Sequence, residues 1–80
     1  MHISTFEKKR QRLMIRLLTM SMNNALQEAE ICSLMADLVL NPKEAEVWRE
    51  LARSHTEHAE NKAKIIADKT MAIVNNEVTI

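Results

Sequence analysis

Leu40-Asn41-Pro42-Lys43-Glu44, "LNPKE", decides how this chain folds. Proline disfavours helical geometry at the residue before it, so a helix arriving from the N-terminal side stops near Leu40. Asn41 is a strong N-cap, and Pro42 suits the first helical position because its missing N–H would be unsatisfied there anyway. Glu44, three residues after the cap, completes a capping box. A rod merely kinked at Pro42 is the competing reading. The cap chemistry at Asn41 favours a true break and a new helix.

Working outward, both flanks read as helix. Ala, Leu, Met, Glu, Lys, Arg and Gln dominate, and these are good helix formers. The chain has no glycine and no tyrosine, one proline and one phenylalanine. Strand-rich domains draw on glycine turns and on β-branched or aromatic runs, so the class is all-α. "STFE" at the front offers a second box, with Ser4 as cap and Glu7 reaching back. Asn75 and Asn76 suit a C-terminus. The predicted helices cover about 5–39 and 42–74, within a single domain spanning 1–80, and 1–4 and 75–80 are expected to fray. Each is roughly 50 Å long at 1.5 Å per residue. So short a connection folds two equal helices into an antiparallel hairpin.

The first helix carries alternating four- and three-residue spacings through Ile15, Leu18, Met22, Ala25, Ala29, Cys32, Ala36 and Val39. That is a coiled-coil seam. The second helix answers with Ala45, Trp48, Ala52, His55, Ala59, Ala63, Ile66 and Ile73. In a hairpin closed at Asn41, facing residues have numbers adding to about 81. Ala36 then meets Ala45, Ala29 meets Ala52, Leu18 meets Ala63, and Trp48 lies near Cys32 and Met35. Large opposite small is what dense packing requires.

The first helix also has apolar residues to spare. Leu13, Leu17, Met20, Ile31, Leu34 or Met35, and Leu38 form a second seam that one partner helix cannot cover. Asn24 and Gln27 or Glu28 interrupt it. They sit either at its rim or in a polar layer that fixes register, as one buried Asn does in a coiled coil. An uncovered apolar stripe of this length marks an interface. The expected interface residues are therefore Leu13, Leu17, Met20, Ile31, Met35 and Leu38. A homodimer or a partner protein would complete a four-helix bundle. A stable lone hairpin is the plainer reading, but few isolated two-helix units hold together.

Zero net charge conceals a separation of charge. Residues 1–20 sum to +4, 21–60 to −5 and 61–80 to +1. The positive block is Lys8, Lys9, Arg10, Arg12 and Arg16, placed where a helix dipole disfavours cations. Across the hairpin they face residues 65–73, whose one acid is Asp68, so most are expected to lack an internal counter-charge. A solvated face is the plain explanation. Docking on an acidic protein surface, including the acidic block of a second copy packed antiparallel, is the sharper one. Phosphate of RNA or DNA, or an anionic membrane surface, is a third. Phe6 is the single aromatic near the cluster, which weighs against base stacking.

Catalytic chemistry finds little support. His55 and His58 stand one turn apart, a spacing that can share a metal, but further ligands would have to come from another copy. The plainer reading puts His55 on the seam and His58 at its edge. Cys32, the single cysteine, reads as a small core residue. Without glycine no phosphate-cradling loop can form. No cofactor, metal or small-molecule substrate is expected. No apolar run reaches the ~20 residues of a membrane span, and no signal peptide is read at the front. With one cysteine and no disulfide, the expected location is the cytoplasm. The functional expectation is a small non-enzymatic protein-binding module of adaptor, chaperone or inhibitor type. The alternative is a dimeric hairpin regulator that binds RNA or DNA through residues 8–16.

Overall fold

The computed structural model describes residues 5–78. Helix α1 spans Thr5–Leu38 and helix α2 spans Pro42–Val78. They fold back on each other as a hairpin measuring 59 × 16 × 12 Å. The described residues contain no strand.

The break falls where the cap chemistry places it. Asn41 Oδ1 accepts hydrogen bonds from the backbone N–H of Lys43 at 2.9 Å and of Glu44 at 3.4 Å. The Asn41 carbonyl accepts from Ala45 N–H at 3.0 Å, which opens α2. Val39 N–H donates to the Met35 carbonyl at 3.1 Å and closes the last turn of α1. Asn41→Ala is expected to cost about 1 kcal/mol in urea denaturation, while Asn41→Ser retains most of the stability.

The buried residues are Ala25, Ala29, Cys32 and Ala36 on α1 and Ala45, Ala52, Ala59 and Ile73 on α2. All but one are small, so the helices meet through Cβ atoms and the seam is narrow. Larger side chains stand at its margins: Ile15, Leu18, Met22, Val39, Trp48 and Ile66 are half-buried. Thr19 and Thr56 are half-buried too, and each spends its hydroxyl on a carbonyl one turn back, Ile15 at 2.7 Å and Ala52 at 2.9 Å. Register contacts agree with the predicted pairing. His55 Nδ1 lies 3.1 Å from Glu28 Oε2, and Lys69 Nζ lies 3.5 Å from Gln11 Oε1.

Three expectations are corrected. Ala63 is exposed, and Lys62 is half-buried in its place. The strict alternation from Ala59 runs to Lys62, Ile66, Lys69 and Ile73. A lysine can occupy such a position because its hydrocarbon stem covers apolar surface while its amine stays wet. Next, α2 runs on to Val78 rather than ending at 74. Buried Ile73 anchors the last turns to α1, and no Gly or Pro follows to stop them. Finally, α1 ends at Leu38 rather than 39. Ser4, the proposed first cap, lies outside the described residues, as do 1–3 and 79–80.

Candidate interaction surface

The outer face of α1 is apolar for most of its length. Leu13, Leu17, Met20, Ile31, Leu34 and Leu38 are each between 54% and 76% exposed. Their spacing alternates four and three residues, with Asn24 and Gln27 filling the two central places. At about 100° per residue, this row lies roughly 155° around α1 from the hairpin seam. It is therefore the back of the helix. Phe6, 76% exposed, lies on the same row beyond Arg10. Sequence reading weighed Phe6 only as an aromatic beside the basic cluster, although the four-residue step to Arg10 continues the alternation.

Met35 stands apart from the rest of the predicted interface. It is half-buried on the flank beside the hairpin seam, and Leu34 takes the place on the outer row. The alternation selects Leu34, since it follows Ile31 by three residues. Asn24 and Gln27 are exposed within the row, and Glu28 has turned toward α2 to meet His55.

The hairpin exposes 6207 Å², about a quarter more than the roughly 4,900 Å² of a compact monomer of 9.2 kDa. A thin rod accounts for part of that excess. What matters is its composition on α1, where large apolar side chains occupy the outer face. On α2 that face is charged: Arg49 pairs with Glu46 at 3.6 Å and Arg53 pairs with Glu50. Such exposed pairs add little stability but keep the surface wetted. One shallow apolar patch near the loop was not anticipated. Val47 and Leu51, one turn apart, share it with the stems of Lys43, Glu46 and Glu50.

At the basic end, Lys9, Arg10, Arg12 and Arg16 are exposed, and Lys8 is half-buried at a hairpin-seam position. Arg10 Nη2 lies 2.7 Å from Glu7 Oε1, which also accepts from Gln11 Nε2 at 3.1 Å. The hydrogen bond from Arg10, then that from Gln11, hold the Glu7 carboxyl below the usual carboxylate range. Lys8 and Arg12 are engaged as well. Glu7 is the one acid in residues 5–20, so it gives Arg10 a counter-charge while the block as a whole keeps its positive excess. Glu7 in the first turn also offsets the unfavourable placement of cations there.

His58 is exposed and lines a polar cleft with Ser21, Asn24, Glu28 and Lys62. Among the described residues, no group of three or more His, Cys, Asp or Glu is placed to hold a metal. Cys32 is a buried free thiol in the alanine seam. No helix of the described residues is long and apolar enough to cross a membrane.

Fold and surface together define a two-helix hairpin with an unpartnered apolar row on the back of one helix. Compared with protein-family models, curated proteins and solved structures, the chain matches none.

Proposed function

We propose that this chain is a small non-enzymatic protein-binding module, of adaptor, chaperone or inhibitor type. It works through the outer row of α1, completed by a protein partner into a larger helical assembly. The observation that carries this reading is the exposure of six large apolar side chains in one heptad-spaced line. A soluble monomer rarely leaves two such clusters of large apolar side chains open along one helix face. The basic block supports a steering role, because exposed charge accelerates encounter more than it adds affinity. The alternative, RNA or DNA binding through Lys8, Lys9, Arg10, Arg12 and Arg16, draws on the same block. It is weakened by the Arg10–Glu7 pair and by the lone aromatic beside it.

Capture from a nuclease-treated extract of the native host separates the two. The wild-type chain is expected to retain a defined protein set that Ile31→Asp loses. Arg16→Glu should retain the same set at equilibrium while binding it more slowly. Capture that disappears with nuclease, falls steeply with salt and survives Ile31→Asp would favour nucleic acid and reject the row as the binding surface.

A further inference from the structure

We infer that a second copy of this chain covers the outer row of α1, running antiparallel, with facing residues whose numbers add to 51. The inference rests on the row being a binding surface, as proposed above, and names its occupant.

The first support is a palindrome. From Leu13 to Leu38 the row reads three apolar residues, two amides and three apolar residues, with the same spacings in either direction. Reversed on itself, it sets Leu13 against Leu38, Leu17 against Leu34, and Met20 against Ile31 of the second copy. Asn24 then meets Gln27 across the two-fold axis. Each amide offers both a donor and an acceptor, so the pair can satisfy itself. Sliding one copy by a heptad sets Asn24 against Leu34 and Gln27 against Ile31, and strands both amides among apolar groups. The amides therefore select one register, the use to which coiled coils put a single polar layer. A foreign partner gives no reason for the row to mirror itself.

A parallel copy would also match like with like, and charge decides against it. Residues 5–20 of α1 sum to +4 and residues 21–38 to −3. Parallel packing sets the positive halves together, whereas antiparallel packing sets each against the negative half of its mate. The row flanking the proposed contact shows this residue by residue. Lys9, Arg16, Asn23, Glu30 and Asp37 are all exposed and heptad-spaced, passing from positive through neutral to negative. In the proposed register Arg16 lies beside the second copy's Asp37. On the opposite flank Met14 falls beside the second copy's Met35, which gives the half-buried Met35 a place at the edge of the interface.

The apolar residues of the outer row sit behind the hairpin seam, and Asn24 alone among the row also borders the polar cleft toward α2, so a second α1 can approach. The four helices form a flat row, with the two α1 helices inside, rather than a square bundle. The contact from Leu13 to Leu38 runs about 38 Å along the helix at 1.5 Å per residue.

Directed disulfide formation tests the register. Leu17→Cys and Leu34→Cys are made separately in a full-length Cys32→Ala background and checked for wild-type helicity by circular dichroism. Under mild oxidation, the mixed sample is expected to give at least an order of magnitude more covalent dimer than either variant alone. Wild-type chain should sediment as a dimer at micromolar concentration. Self-linking of Leu17→Cys in preference to the mixed product overturns the antiparallel register. A wild-type monomer with no linked product overturns the second copy. If that monomer still captures host protein through Ile31, the row remains a binding surface for another partner. If it does not, the reading of the row falls as well.

Discussion

Ala36→Leu is expected to disrupt the hairpin itself. Ala36 is 3% exposed, and its facing residue in the register, Ala45, is 5% exposed. Both lie close to the turn, where the short connection and the Asn41 cap hold the two helices near each other. A leucine adds three carbons in a layer that has room for none. Its neighbours must leave their rotamers or the helices must splay, and overpacking of this kind costs about 1–3 kcal/mol. The upper end applies here, since the turn limits how far the layer can open. Such a loss is large beside the stability of a domain this size, which lies at or below the low end of about 5–15 kcal/mol. Urea denaturation followed by circular dichroism should show a lower midpoint at unchanged slope. Ser33→Leu is the control. Ser33 is exposed, so the same growth in side-chain volume at that position should change stability by no more than about 0.5 kcal/mol. Equal losses at both positions would show that the alanine layer does not limit packing.

That prediction depends on a seam largely legible in the sequence. Asn41 and Pro42 located the turn because each has a definite backbone role there, and the structure shows both Asn41 cap bonds. Ala25, Ala29, Cys32 and Ala36 were legible because small residues recurred at heptad spacing. Lys62 and Lys69 were obscured for the opposite reason. Read by residue type they look like solvent positions, and spacing alone reveals that their stems lie along the seam. The end of α2 was misjudged because Asn75 and Asn76 permit a stop without enforcing one. Buried Ile73, by contrast, ties the preceding turn to α1. On the outer row, position was legible and direction was harder. Whether Leu34 or Met35 continued it depended on a one-residue choice, settled by the alternation from Ile31 and by their different exposures. Glu7 was counted in the charge of the block but read as a capping residue, whereas its carboxylate turns down the helix to Arg10 and Gln11.

Leu17→Asp should abolish association while leaving the hairpin helical. Burying a Leu, Ile or Met side chain is worth about 1.5–3 kcal/mol. Half of that, gained over six side chains in each of two copies, gives roughly 9–18 kcal/mol, against an association cost of about 4–15 kcal/mol. The surplus is modest, so one damaged layer decides the outcome. By symmetry the substitution enters twice, each time placing a carboxylate against Leu34. Lost burial and desolvation of the charge together cost roughly 3 kcal/mol per layer. Two layers weaken the dimer by about four powers of ten. Within a single hairpin the change is mild, because Leu17 is 67% exposed and makes no part of the alanine seam. The two effects separate in thermal melts over a range of protein concentration. Wild-type melting temperature should rise with concentration, as it does whenever the folded state alone associates. Leu17→Asp should melt lower, with no concentration dependence, from a helical starting state. A wild-type melting point independent of concentration and untouched by Leu17→Asp would mean that the apolar back of α1 contributes nothing to assembly in solution.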